Sequence, residues 1–470
     1  VSQPYQPLTP EWWVKRLYDR LKVQRETFEL YDAYYRGKPP RLPWLAEQSR
    51  EEFSRLLSLS NSNYMGLVVD AMVERMSVEG FSIGDDLAAD MPTWDIWQAN
   101  NLDAASDQVL LEAAIGGCSF LLVAPPADGD QPVIYAEHPT QATVEYEPGS
   151  ARRRRAAGLK VWQDDWTGKQ MATLYLPDAV YKFESPNPTP GGVTEPRWEK
   201  REVRGERWPA KNPLGEVPLV EVANNPRLLT GGVSELADVI VVQDRINKTI
   251  ADRLMTQDFG AFPQKWAKGF PEKDADGNEN RIDVGRNRMI TSEMAETQFG
   301  QFESAPLDPY SAAKREDVKD IASRTRTPAQ YLLGEMSNVN GETLKASESG
   351  LVSKVRQRNR TAGDGLEDTM GLARRAGGLA NGREVIETKW RNPEFRTEGE
   401  LVDALTKMST LHVPDEALWE RWGASQVEIQ RWKKMAEEQA ARDPLGQLTQ
   451  AAGRGLPDGA ASGAAQPIGE

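Results

Sequence analysis

Two helical rods bracketing one small module constrain this chain more than any other feature. Ser234 stands as an N-cap before a stretch in which Leu236, Val239, Ile240, Ile246, Ile250 and Leu254 share one face. The periodicity runs to about Phe259, so the expected rod is ~40 Å long at 1.5 Å per residue. Asp308 followed by Pro309 starts a second helix, and Pro328 stops it. Its apolar side is thin: Tyr310, Ala313, Val318 and Ile321, with Lys314, Arg315, Glu316, Asp317, Lys319, Asp320, Arg324 and Arg326 covering the rest. A helix so polar around its girth bridges solvent or lines a wet space. Residues 261–307 lie between the rods, with an Asp-Gly turn at 276–277, β-like flanks and the cations Lys265, Lys268, Arg281, Arg286 and Arg288. The two rods cannot bury both of their sides within one chain, which points to a closed assembly of copies.

The stretch GEMSNVNGETLKASESGLVSKVRQRNR at 334–360 places a short polar loop directly before a third long helix. Leu344, Leu351, Val355, Ala362, Leu366, Met370 and Ala373 fall within about 100° of arc at 3.6 residues per turn. Lys345, Ser349, Arg356 and Arg360 fall on a separate face, for which solvation is the default reading. Gly363-Asp364-Gly365 is expected to interrupt and bend the helix. The loop itself offers small, uncharged residues: Ser337, Asn338, Val339, Asn340 and Gly341.

Toward the N-terminus, Thr9 and Pro10 open a helix with Trp13, Leu17, Leu21, Phe28, Tyr31 and Tyr35 on one face, stopped by RGKPP. A second helix is expected around NYMGLVVDAMVERM, ending in SVEGF. Short β-like runs (SFLLV, PVIYAEH, ATVEYE, LKVWQ, MATLYLP, AVYKF) then read as an antiparallel meander over roughly 119–210. The arginine run at 152–155 falls in one of its turns, where a solvated hairpin tip is the expectation and a phosphate contact the alternative. NPLGEVPLVEVANNPRLLTGG reads as an extended connection. Ser425-Gln-Val-Glu428 is a capping box opening a helix with Ile429, Trp432 and Ala436. Beyond about Ala441 the Gly/Ala/Pro-rich text has no core pattern and is expected to be disordered.

Composition narrows the chemistry. Lys+Arg 57 against Asp+Glu 71 gives a net charge of −14. An acidic chain does not coat DNA, because non-specific binding is driven by cations displacing counterions from phosphates. The single cysteine, Cys118, excludes a disulfide framework and is expected to be a small buried hydrophobe. Its apolar surroundings are too short to span a bilayer, and VSQPYQPLTPEWW lacks the order of a secretory leader, so no membrane is expected. No G-x-x-x-x-G-K-[ST] loop is present, and His138 and His412 are the only histidines. That leaves no zinc motif and no supported histidine triad; no cofactor and no metal is expected. The pairs Asp85–Asp86 and Asp164–Asp165 suit loop solvation better than a Mg²⁺ site.

Several of these stretches, in this order, resemble one family. YYRGKPP, ERMSVEGF, TLYLPDAVYKF, NPLGEVPLVEVANNP, GGVSELADVIVVQDRINKTIADRL and TPAQYLLGEMSNVNGETLKASESGLVSK look like the portal proteins of tailed double-stranded DNA bacteriophages, of the siphophage type found in actinobacterial phages. They span most of residues 10–435, and the series carries the likeness, since no single piece is a catalytic signature. The resemblance implies an α+β, mainly α fold: wing 1–230, stem helix 231–260, clip 261–307, stem helix 308–327, tunnel loop and long helix 328–375, wing return 376–399, crown 400–440 and tail 441–470. It implies a non-enzymatic dodecameric ring at a capsid vertex, built in the host cytoplasm, that passes double-stranded DNA. Its partners would be the terminase large subunit and then a head–tail adaptor at the clip, together with the major capsid and scaffolding proteins. Ser337–Gly341 would face the DNA, and Lys345, Arg356 and Arg360 would meet DNA or a neighbouring subunit. The alternatives are a head–tail adaptor, although adaptors are shorter and lack the rod–module–rod series, and a metal-dependent DNA-processing enzyme.

Overall fold

The computed structural model describes residues 6–40, 59–84, 89–126, 131–149, 154–188, 197–228, 230–261, 265–269, 296–303, 305–334, 341–394, 398–424 and 426–442. Helix α1 (Pro10–Tyr35) begins as its sequence dictates: Thr9 Oγ1 accepts from the Trp12 amide, with Pro10 at the first helical position. Helix α2 (Met65–Val73) is shorter than its apolar pattern suggests, and SVEGF lies in strand β1 (Val78–Ile83) instead of a helix end. The cause is distant in sequence, since β1 pairs antiparallel with β13 (Ile386–Trp390). Helix α3 (Met91–Ala99), capped by the Asp90 carboxylate on the Thr93 amide, and helix α4 (Leu102–Gly116) follow.

The expected meander is present but split between two sheets. Strands β2 (Cys118–Ala124) and β3 (Val133–Glu137) join β10 (Leu219–Ala223) in a three-stranded sheet, in the order β10-β2-β3. The stretch read as an extended connection is therefore a strand with a buried face. Strands β4 (Ala142–Tyr146), β5 (Arg155–Gln163), β6 (Gln170–Tyr175), β7 (Ala179–Glu184) and β8 (Glu199–Lys200) form the second sheet, with β9 (Ala210–Lys211) also on β7. Leu17 and Leu21 of α1 pack on Leu159, Ala172 and Leu174 of this sheet, while Phe120, Val144 and Leu219 fill the space between the sheets. Cys118 is half-buried at the edge of that filling.

The arginine run divides. Arg154 is exposed beside Glu147 at 3.5 Å. Arg155 is buried, donating to the Val217 carbonyl and pairing with Asp368 at 3.0 Å. It is an internal tie and neither a solvated tip nor a phosphate contact. Arg152 and Arg153 lie outside the described residues.

Helix α5 (Ile240–Ala261) starts later than its apolar spacing implies. Residues 235–239 are turns, and Ser234 Oγ accepts from the Leu236 amide, capping a turn in place of the helix. At 22 residues the rod is ~33 Å long and not ~40 Å. Strands β11 (Lys265–Lys268) and β12 (Gln298–Gln301) make a two-stranded ribbon and lead to α6 (Asp308–Thr325), which lies against α5. After the short α7 (Ala329–Leu333), helix α8 (Gly341–Ala376) runs 36 residues without a break. The two glycines at 363 and 365 do not interrupt it. A Cβ on Gly365 would stand 2.8 Å from the Glu221 carbonyl and 3.0 Å from Val222 Cα, so this glycine lets the helix lie directly on β10. Leu351, Val355, Ala362, Leu366, Met370 and Ala373 are buried as expected, in a core shared with α2, α4, α5, α6, β1 and β2.

Helices α9 (Glu398–Thr410), α10 (Asp415–Trp422) and α11 (Gln426–Arg442) close the described chain, with Trp432 packed edge-on against Trp419 at 5.6 Å. Ser425, the expected cap of α11, lies outside the described residues, as does 443–470; residues 441–442, expected in the tail, are helical.

Candidate functional site

The turns that delay α5 exist because Glu235 is drawn inward. Its backbone amide donates to the Ala114 carbonyl, and its carboxylate is buried between two cations of α8. Lys354 Nζ stands 3.1 Å from Oε2, and Arg358 Nε donates to Oε1 at 2.5 Å. Asn224 Nδ2 donates a further bond to Oε1 at 2.9 Å, and Arg358 Nη1 reaches Asn225 Oδ1. Lys354 also donates to the Thr325 carbonyl at 2.9 Å, in the last turn of α6, where the helix dipole favours a cation. One ion cluster thus joins the lead-in to α5, the end of α6 and the body of α8. Burial alone would raise the Glu235 carboxyl, but Lys354, Arg358 and the Asn224 amide outweigh it and hold it at about 2. Burial pulls the Lys354 ammonium down, and Glu235 acts against that.

Three further clusters tie α8 along its length. Near its start, Glu348 accepts from Tyr331 Oη of α7 and pairs with Arg75 at 3.3 Å. Arg75 donates to the same Tyr331 oxygen and to the Pro393 carbonyl. Farther along, Arg155 and Arg375 both reach Glu216, at 3.5 and 3.1 Å. At the end, Arg374 forks between Asp90 and Glu384, at 2.7 Å each. Helix α8 is therefore fixed to its surroundings near its start, in the middle and at its end.

The residues singled out from sequence fare unevenly. Gly341 is the first residue of α8, whereas Ser337, Asn338, Val339 and Asn340 lie outside the described residues. Lys345, Arg356 and Arg360 are exposed on one face of α8, as their spacing requires. Arg356 is committed to Glu394 at 2.5 Å, while Arg360 has no partner among the described residues. Lys265 and Lys268 fall on β11, with Lys268 exposed; Arg281, Arg286 and Arg288 lie outside the described residues, as does the 276–277 turn. Exposed aromatics, Trp266 and Phe299, accompany the lysines on that ribbon and were not singled out by charge.

Catalytic alternatives gain no geometry. Among the described residues, no group of three or more His, Cys, Asp or Glu is placed to hold a metal ion. His138 is engaged with Thr140 at 2.6 Å and packs edge-on against Phe28. Asp164 accepts from Thr167 Oγ1 and closes its own turn; Asp85 and Asp86 lie outside the described residues. No helix among the described residues is long and apolar enough to cross a membrane.

A long helix tied along its length, a two-helix hairpin carrying a small ribbon, and a two-sheet body make up the described chain. Residues 14–442 match the family of phage portal proteins of the SPP1 Gp6-like type, and the chain belongs to that family. It is similar to the portal protein of Mycobacterium phage D29, 30% identical over 407 residues, covering 82% of this chain and 80% of the relative. The portal protein of Mycobacterium phage L5 is 29% identical over the same shares. Among solved structures, the neck of a native gene transfer agent particle matches at a TM-score of 0.45 and 11% identity, over 82% of this chain and 95% of the other. The neck of the empty particle matches at 0.46 and 13%, over the same shares.

Proposed function

We propose that twelve copies of this chain close into a ring at one capsid vertex, through which double-stranded DNA is packaged and later ejected. The observation that carries this reading is the family match over residues 14–442, and the ion cluster at Glu235 adds a tie from the long helix to the lead-in of α5 and the end of α6. Ser337, Asn338, Val339, Asn340 and Gly341 then form the projection at the constriction: small enough to pass a duplex, neutral enough not to hold it. An acidic ring suits the task, because a strongly basic lumen would trap the polyanion it must release. Of the cationic face, Arg356 is already paired with Glu394, and Arg360 is the better candidate of those two to meet DNA or a neighbouring subunit, with Lys345 exposed on the same face.

In this reading residues 1–230 are the wing, 231–260 and 308–327 the stem, 261–307 the clip, 328–375 the tunnel loop and its helix, 376–399 the wing return and 400–440 the crown. The pairing of β13 with β1 supports the return of 376–399 to the wing. Lys265, Lys268, Arg281, Arg286 and Arg288 put local positive charge on an acidic protein, which favours an acidic partner through salt-sensitive encounter. That partner is the terminase large subunit during packaging and the head–tail adaptor afterwards, with the major capsid and scaffolding proteins at the wing. The ring would be a structural part of the virion. Native mass spectrometry of the purified chain at micromolar concentration and moderate salt tests the reading. A single closed species of twelve or thirteen copies is expected; monomers alone would overturn it.

A further inference from the structure

The two wing sheets part along a cleft of about 490 Å³, walled by apolar groups from Tyr135, Leu214 and Pro218. Trp162 of β5 lies in it, with the Arg201 guanidinium 5.1 Å and the Lys160 ammonium 5.4 Å from its ring centroid. Most cations here are already matched: Lys160 holds Glu137 and Lys182 holds Glu206, each at 2.5 Å. Arg201 is the exception. Its side chain donates no hydrogen bond among the described residues, and its Nε is buried without a partner. Burial works against its charge, while Glu184 and Glu206 act on it only from beyond ion-pair distance. Lys211, exposed at the cleft mouth, likewise has no partner among the described residues. A second hollow of about 270 Å³ adjoins, shares Arg201, and adds Arg204 and Arg207 beside Lys200, which is paired with Glu202 at 3.1 Å.

A half-buried guanidinium without an acceptor is an unusual thing to keep in a protein, because a cation drawn out of water is destabilising unless it is paired and hydrogen-bonded. The carboxylates whose charge reaches it, Glu184, Glu206 and Asp164, all stay beyond ion-pair distance. We propose that this cleft binds an acidic segment of a partner protein, seating one apolar side chain between its walls and the neighbouring carboxylate on Arg201. A carboxylate meets a guanidinium through two parallel bonds, which would satisfy the buried Nε together with a terminal nitrogen. A nucleic acid fits less well. Single strands are held by stacking bases on aromatic faces, and the Trp162 ring is already engaged by two cations. The cleft lies within one chain, so its occupancy does not depend on ring closure.

Fluorescence anisotropy on the full chain tests this, with a labelled Asp-Leu-Glu-Phe-Asp peptide, its neutral counterpart Asn-Leu-Gln-Phe-Asn, and an oligothymidylate of matching length. Saturable binding of the acidic peptide is expected, about tenfold weaker for the neutral one and for Arg201→Gln, as loss of a charge-assisted pair requires. Lys211→Gln, a surface change that leaves the fold alone, should weaken binding by a smaller factor, and the affinity should fall with added salt. The proposal is overturned if acidic and neutral peptides bind alike, or if both variants bind as the parent does. It is also overturned if oligothymidylate binds more tightly than the peptide through the same residues, or if no saturable binding appears below about 1 mM, a threshold equivalent to only ~4 kcal/mol of affinity.

Discussion

Helix α8 and the α5–α6 hairpin are both long, both rich in charge, and held in opposite ways. Between Leu351 and Ala373, α8 buries its apolar stripe completely, and its ion pairs to Glu235, Arg75, Glu216 and Asp90 are buried or half-buried. The hairpin is anchored only at its root. Ile246, Ile250, Val318 and Ile321 are buried there, but most of α6 from Asp308 to Glu316 is exposed, as are Gln257 and Asp258 near the far end of α5. Its cross-links run from an exposed Arg245 to Asp320, which is partly exposed, and to Asp317, which is mostly covered. Surface pairs contribute about 0–1 kcal/mol, whereas removing one member of a buried pair costs about 3–5 kcal/mol. One rod is complete within its own chain, and the other leaves its outer half exposed, to be finished by neighbours in the proposed ring.

The largest expected effect comes from breaking the buried side of that contrast. Glu235→Ala leaves Lys354 and Arg358 buried without their anion and should cost roughly 3–5 kcal/mol, read as a lowered main melting transition. The same carboxyl sets a pH dependence. Its folded pKa of about 2 lies below its ordinary 4.5, so its stabilisation is fully present above about pH 4.5. That contribution disappears as pH falls toward 2, on the order of 3 kcal/mol in all. Glu235→Gln should flatten this part of a stability–pH curve; an unchanged curve would show that another group carries it.

Next in size are two glycines of α8 that test how closely the helix is seated. An alanine in a helix interior gains up to about 1 kcal/mol over glycine. At Gly350, where a Cβ meets nothing nearer than 3.6 Å, Gly350→Ala should therefore stabilise. At Gly365 the added Cβ would press on β10 at 2.8 Å, and Gly365→Ala should destabilise by about 1–3 kcal/mol. Equal signs in thermal melts would mean that α8 rides free of the sheet.

Much of this helix could be read in advance. The apolar stripe from Leu351 to Ala373 is a local, periodic signal, and so are the Thr9–Pro10 start of α1 and the Asp308–Pro309 start of α6. What stayed hidden depends on contacts between distant stretches. Nothing near residue 235 announces that its carboxylate meets Lys354 and Arg358, so the apolar spacing alone placed the start of α5 too early. Gly365 looks like a helix breaker until β10 is known to lie against it. Arg155 looks like one of four equivalent arginines until Asp368 and Glu216 close around it. The strand β10 carries too short an alternation to stand out from a connection. Of the candidate site, the cationic face of α8 followed from spacing, while the cluster that fixes the helix did not, because nothing local marks Lys354 and Arg358 as partners of Glu235.

The smallest effect should come from the exposed cross-link of the hairpin. Arg245→Ala removes both pairs to α6 yet should shift the melting transition by less than about 1 kcal/mol in free energy. A loss several times larger would mean that the hairpin is stabilised within the chain after all.

Hydrogen exchange, followed by mass spectrometry on separated monomers and assembled rings, tests the contrast most directly. Amides of residues 351–373 should be equally and strongly protected in both states, since α8 is complete in one chain. Those of 251–261 and 308–316 should exchange quickly in the monomer and gain protection of about tenfold or more in the ring. Slow exchange of the hairpin in the monomer, unchanged on assembly, would contradict the claim that its outer half is finished by neighbours.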